Sequence, residues 1–263
     1  MCQTGHYREH GIWGLDGYQA EYVVDREDYI VRVPAELSST GVLTEPLSVT
    51  EKAIDEALRL QSARLPDVSS KLDWLAGTRC LVAGLGPIGL LAAMALRLRG
   101  AEVYGLDVVD STTARPQWLN ALDGKYVDGG HVSPEQVGQE LGAMNLIIDA
   151  TGITSLEFNL LDALAPNGVY VLTGIPSGQR PLEIQGAELI RRLVLGNQVM
   201  LGSVNAARDH FQMAVDDLAR AHQRWPSYAE RLITHRYGSS QLGEVFTEHP
   251  ADEIKAVVEW GKL

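Results

Sequence analysis

Two cysteines, Cys2 and Cys80, are all that this 263-residue sequence contains. That number excludes a disulfide framework and leaves Cys80, set in an apolar run, as a small buried hydrophobe. No apolar stretch approaches the ~20 residues of a membrane-spanning helix, so no membrane partner is expected. Residues 1–11 are polar and lack the apolar centre of a secretory signal, which makes a reducing cytoplasm the expected compartment. Basic residues are scarce too, 22 Lys and Arg against 34 Asp and Glu, for a net charge of −12. A nucleic-acid surface needs clustered cations, so no nucleic-acid partner is expected. Internal repeats and low-complexity segments are also missing. Hydrophobic residues at 45% and charged residues at 21% describe an ordinary globular chain, long enough to bury a large core.

The most informative stretch is residues 80–89. Cys80 to Ala83 is a short apolar run bounded by glycine, which reads as a buried parallel strand. Gly84, Gly86 and Gly89, interleaved with Leu85, Pro87 and Ile88, then form G-x-G-x-x-G where strand gives way to helix. The first glycine suits the tight turn, the second lets backbone approach a pyrophosphate, and the third lets helix and strand pack closely. A glycine turn alone is weak evidence. Here a helix over 88–99 follows, stopped by Gly100, and a second strand over 102–106 ends in Asp107, 18 residues beyond Gly89. An acid at that place meets the adenosine ribose of a dinucleotide.

The rest of the chain alternates in the same way. Residues 18–24 and 29–33 alternate apolar and polar side chains and read as strands; two such strands need a sheet to join. Glu45-Pro46 opens a helix to about residue 60, and residues 62–76 read as a connector. Residues 111–130 carry no clear pattern. Ser133-Pro134-Glu135-Gln136 is a capping-box start for a short helix to about 141. Strands are expected at 145–150, 169–173, 199–201 and 232–237, with helices at 155–164, 207–222 and 250–260, and a turn at Pro166-Asn167-Gly168. Strands alternating with helices predict an α/β fold with a doubly wound parallel sheet. Ligands bind beyond the carboxyl ends of such strands. Thr151, Thr173, Gly174, Ile175, Ser203, Val204 and Asn205 therefore share a rim with the Gly84 turn and are expected to line the cofactor.

Several motifs together resemble a known family. They are residues 1–12, Leu15-Asp16-Gly17, Leu43-Thr44-Glu45-Pro46-Leu47, the glycine turn, Asp149-Ala150-Thr151-Gly152 and Gly202-Ser203-Val204-Asn205. The sequence is similar to the archaeal-type glucose dehydrogenases, zinc-dependent medium-chain dehydrogenases that oxidise aldoses to lactones with NAD(P). The resemblance spans essentially the whole chain. It implies that residues 1–46 are the remnant of a GroES-like β-rich catalytic domain, 47–206 the Rossmann NAD-binding domain, and 207–263 a segment returning to the catalytic domain. It also implies that Cys2 is the last of four structural-zinc cysteines, that the other zinc ligands would precede Met1, and that the 263 residues alone are inactive. A sugar substrate and a dimer or tetramer formed through the cofactor domain are implied as well.

The same resemblance assigns site residues, each with a plainer alternative. Glu45 matches an acid near the catalytic zinc and the substrate; otherwise it is a first-turn glutamate favoured by the helix dipole. Glu9 matches a sugar-contacting carboxylate; otherwise it is an exposed loop acid. Asn205 matches a residue near nicotinamide and sugar, and could also cap the helix that follows. Asp107 favours NAD over NADP, with Arg115 the nearby basic residue able to accommodate a 2′-phosphate. Cys2, His6 and His10 stand four apart, but Gly5 and Gly11 argue against the helix that a metal site at that spacing requires. Two rival readings remain open: a nucleotide-binding protein without catalysis, and a zinc-free reductase of the same superfamily.

Overall fold

The computed structural model describes residues 4–68, 75–177 and 181–261. In chain order these residues begin with the short strands β1 (Glu9–His10) and β2 (Gly14–Leu15), then helix α1 (Thr44–Arg64). The central run is β3 (Arg79–Ala83), α2 (Pro87–Leu98), β4 (Glu102–Asp107), α3 (Ala114–Ala121) and β5 (Lys125–Asp128). It continues through α4 (Val137–Leu141), β6 (Met144–Asp149), α5 (Thr154–Asn159), β7 (Leu164–Leu172), α6 (Gly186–Leu195) and β8 (Val199–Gly202). The chain then closes with α7 (Arg208–Arg224), β9 (Ile233–Gly238), α8 (Leu242–Thr247) and β10 (Lys255–Glu259).

Six strands form one parallel sheet in the order β5-β4-β3-β6-β7-β8. The order reverses between β3 and β6, which opens the crevice where such sheets bind ligands. Successive side chains of a strand point to opposite faces, and β3 divides accordingly. Cys80 and Val82 join the apolar layer under α1, α2 and α7, whereas Leu81 and Ala83 join the opposite layer with Val137, Leu160 and Leu161. Burial on both faces is why these strands are nearly continuous apolar runs. The doubly wound sheet read from the sequence is the fold observed.

On the first face, a charged cluster joins three helices. Arg99, just after α2, donates to Glu51 of α1 at 2.6 Å and to Asp217 of α7 at 2.5 Å, and all three are buried. Asp217 also accepts from the more exposed Arg220 at 2.9 Å. Asp217 thus has two guanidinium partners, whereas Glu51 has, among the described residues, only the one it shares with Asp217. Burial, reinforced by Asp217 and opposed by Arg99, pushes Glu51 up to about 8.

Two expected strands, one helix and one turn are corrected. Residues 18–24 and 29–33 join no strand pairing among the described residues; a single turn of 3₁₀ helix spans Glu27–Tyr29, and Tyr22 and Val24 are exposed. An alternating pattern supplies a face, but a strand exists only where a neighbour takes its hydrogen bonds. The expected final helix over 250–260 is instead β10, paired parallel with β9. Its adjacent Val257 and Val258 favour extended backbone once a partner strand is present. The expected turn at Pro166-Asn167-Gly168 lies within β7, with Asn167 at φ +61° and a register shift opposite Met144 and Leu146. Helices α3, α6 and α8 and strand β5 were not among the expected elements; α3 and β5 fill the stretch that read as featureless.

The Glu51 environment predicts a pH effect on stability. A carboxyl whose folded pKa lies above its unfolded value supports the fold below that unfolded value, and the support is lost as pH rises through the folded pKa. Between pH 5 and 8, Glu51→Gln is expected to gain stability relative to the parent by a few kcal/mol at most, since one pKa unit is worth ~1.4 kcal/mol. Urea unfolding of both proteins at the two pH values checks this, and a constant difference would show that Glu51 is ionised throughout.

Candidate functional site

The turn between β3 and α2 is held by backbone packing. Gly84 takes φ +85°, and a Cβ there would lie 2.9 Å from Cγ2 of Thr151. At Gly89 a Cβ would lie 1.8 Å from the carbonyl oxygen of Gly84 and 3.2 Å from Cγ1 of Val82, so helix and strand touch through bare backbone. Gly86 differs: its backbone is ordinary, and a Cβ would meet nothing within 4 Å. The space over Gly86 is open, Pro87 starts α2 without an N–H of its own, and the next N–H groups of the first turn face that opening as an anion site.

Asp107, at the end of β4, is tied to this turn. Its Oδ2 accepts from the Leu85 N–H at 2.7 Å and its Oδ1 from the Val108 N–H at 2.7 Å. Each carboxylate oxygen keeps a lone pair for a ribose hydroxyl. Open space over Gly86, a helix N-terminus and a fixed acid together fit a dinucleotide.

The rim continues from strand to strand. Buried Asp149 ends β6, and its carboxylate accepts from the Thr151 N–H at 2.6 Å and the Thr151 hydroxyl at 2.8 Å. Burial pushes its pKa up, and the Thr151 hydrogen bonds pull it back. The Asp149 carbonyl accepts from the Thr173 hydroxyl at 2.7 Å and the Gly174 N–H at 3.1 Å, linking the end of β6 to the end of β7. A Cβ on Gly174 would lie 2.2 Å from the Gly152 nitrogen, and one on Gly152 would lie 2.7 Å from the Ile175 oxygen. Ser203 then donates its N–H to Leu172 at 2.9 Å, joining β8 to the same edge. Thr151, Thr173, Gly174, Ile175 and Ser203 thus follow the Gly84 turn along one sheet edge.

Past β8 the backbone turns at Asn205, a non-glycine residue at φ +60°. The Asn205 side-chain amide donates to Glu9, 196 residues away in sequence. Glu9, Glu45, Ser48, Val204, Asn205 and Phe211 line a cleft of about 610 Å³. All three residues matched to sugar binding therefore meet in one place. Glu45 sits in the first turn of α1, and its carbonyl accepts from the Ser48 hydroxyl at 2.6 Å. Cys2 lies outside the described residues. His10 is drawn away from any trio with His6, its Nδ1 lying 2.7 Å from the Asp16 carbonyl and its ring stacked on Tyr18. Among the described residues, no group of three or more His, Cys, Asp or Glu could hold a metal ion. Glu9 and Glu45 fall short of the three protein ligands that a catalytic zinc takes, so these residues by themselves do not fit the ion.

Sequence reasoning missed the residues beneath this rim. Asp149 stood inside a quoted motif without a role. Lys52 and Glu56 follow Glu45 at +7 and +11, spacings that return to the same helix face and were the available signal.

Strand order and glycine turn define the class: a doubly wound α/β protein of the dinucleotide-binding type. A family model described as "Glucose dehydrogenase C-terminus" matches residues 38–260. Glucose 1-dehydrogenase 2 of Vulcanisaeta moutnovskia is 44% identical over 98% of this chain and 70% of its own length. Glucose 1-dehydrogenase 1 of Caldivirga maquilingensis is 39% identical over 100% of this chain and 70% of its own. The crystal structure of Haloferax mediterranei glucose dehydrogenase in complex with NADP, Zn and gluconolactone superposes with a TM-score of 0.88 at 31% identity, covering 100% of this chain and 71% of that one. The chain belongs to the glucose dehydrogenase family of zinc-dependent medium-chain dehydrogenases.

The two inner glycines separate packing from ligand space. Gly89→Ala is expected to cost about 3 kcal/mol or more, because the clash is with backbone. Gly86→Ala is expected to leave stability within about 0.5 kcal/mol while weakening dinucleotide binding. Unfolding curves and nucleotide titrations of both variants check this; equal destabilisation would mean that packing, not ligand space, demands Gly86.

Proposed function

We propose that this chain binds NAD along the rim from Asp107 to Asn205 and serves an NAD-dependent aldose 1-dehydrogenase of glucose type. The observation that carries this is the meeting of Glu9, Glu45 and Asn205 in one cleft, on the edge of the sheet that also carries the glycine turn. The reaction removes a hydride from the anomeric carbon and a proton from its hydroxyl, leaving a lactone. Bound NAD supplies the hydride acceptor. The protein's own share is to orient. Carboxylates at Glu9 and Glu45 accept hydrogen bonds from sugar hydroxyls, Asn205 both donates and accepts, and Phe211 offers an apolar wall to the ring. The related Haloferax mediterranei enzyme holds zinc together with NADP and gluconolactone.

Preference for NAD rests on Asp107. A 2′-phosphate beside that carboxylate meets like charge, worth up to ~4 kcal/mol at ~4 Å with an effective dielectric of ~20. Exposure reduces this, yet a third of it is still about tenfold in affinity. Arg115, the basic residue that could offset the repulsion, donates instead to the Glu253 carbonyl at 3.1 Å.

Steady-state oxidation of D-glucose by the native protein with NAD and with NADP tests both halves. Glu45→Gln is expected to lower kcat/KM for glucose at least 100-fold with NADH affinity unchanged, the loss expected of a group acting near the reacting centre; undiminished turnover would end the sugar reading. Asp107→Ser is expected to move the ratio of NADPH to NADH dissociation constants about tenfold towards NADPH. An unmoved ratio would take Asp107 out of cofactor choice.

A further inference from the structure

Lys52 of α1 is 2% exposed, unusual for an ammonium, and it lies under the rim rather than in the cleft. Its Nζ donates to the Val204 carbonyl at 2.7 Å and stands 3.5 Å from Oε1 of Glu56, one helical turn further on. The other oxygen of Glu56 accepts from the Ser203 hydroxyl at 2.8 Å. A third residue of the same helix, Asp55, lies 3.3 Å from Nε2 of His210, whose Nδ1 accepts from the Ala207 N–H at 3.0 Å. One face of α1 therefore grips the chain from residue 203 to residue 210. Within that grip, Val204 is exposed towards the cleft and Asn205 reaches Glu9.

Desolvating an ammonium is costly, and an apolar chain of the same length would fill this space at less cost. What only the lysine supplies is a charged donor to the Val204 carbonyl. Past the Ser203 N–H, which Leu172 accepts, the strand end and its left-handed residue leave the ladder, so their course depends on such side-chain bonds.

We propose, resting on the dinucleotide site proposed above, that Lys52 is a positioning residue: held by Glu56, it fixes the Val204 carbonyl and so sets the backbone of residues 203–205 against the bound nicotinamide cofactor. It touches neither cofactor nor sugar. Losing the donor lets this segment move, so the cofactor binds a site that is correctly formed only part of the time, and apparent affinity falls by that fraction.

The test compares the parent chain with Lys52→Met, which keeps the length and removes the donor. Amide hydrogen exchange at residues 203–205 and NADH titration by nicotinamide fluorescence are the two readouts. The expected result is exchange about tenfold faster at 203–205, unchanged protection in the middle of α1, and an NADH dissociation constant about tenfold higher. A purely structural lysine would lower the thermal midpoint and leave the dissociation constant of the folded protein unmoved; that result overturns the proposal. Unchanged exchange overturns it as well. If Lys52→Met does not fold, Glu56→Gln removes the charge that holds Lys52, leaves the rim residues unchanged and is read identically. A parent chain that binds no NADH refutes the dinucleotide reading instead, and the exchange rates still decide whether Lys52 holds the segment.

Discussion

The bare-backbone contact between Gly89 and the Gly84 carbonyl sets the distance between α2 and β3. A single methyl group at Gly89 would come within 1.8 Å of that oxygen. The helix starts close to the strand, and the space above Gly86 at its N-terminus stays open. The same turn presents the Leu85 N–H to Asp107, so the acid is oriented by the glycine loop as well as by its own strand. Each later strand end is then fastened to its neighbour, through Thr173 and the Asp149 carbonyl, through Gly152 and Gly174, and through Ser203 and Leu172.

Helix α1 provides a second frame, independent of the glycine turn. Positions 45, 48, 52 and 55–56 recur on one side of the helix. They run from the cleft (Glu45, Ser48) down to the clamp under the rim (Lys52, Asp55, Glu56). Glu51, around the helix from that side, meets Arg99 and Asp217 and so anchors α1 to α2 and α7. One helix thus connects Glu45 in its own first turn, the strand-end segment at residues 203–205, and the apolar core under the sheet. The buried ammonium of Lys52 and the buried carboxyl of Glu51 make both connections directional in a way apolar packing is not.

How much could be read without coordinates varied with how local the cause was. The run from Cys80 to Asp107 was legible because its strand, turn, helix and acid each follow from adjacent residues, and Ser133 to Gln136 form the capping box their spacing suggests. The segments at 18–33 and 255–259 were misread because pairing is a property of two strands, and only one of them is visible at a time. Helix α6 escaped notice although it is amphipathic, with Leu189 and Leu193 packed inward and Ile190, Val194 and Leu195 exposed. Its apolar positions 189, 190, 193 and 194 fall on one helical face, a signal that the sequence carried.

By itself the sequence determined the glycine turn, the doubly wound class of sheet and the acid that would face a ribose, since these depend on residue types at short separations. Family motifs added Glu9, Glu45 and Asn205 as separate candidates. Only the tertiary structure brought Glu9 to Asn205, withdrew Arg115 to the Glu253 carbonyl, and placed Lys52 beneath Val204. Those three outcomes join positions 138 to 196 residues apart. No local pattern encodes such contacts, because they form only after the sheet has fixed where its strand ends lie and α1 has packed across them.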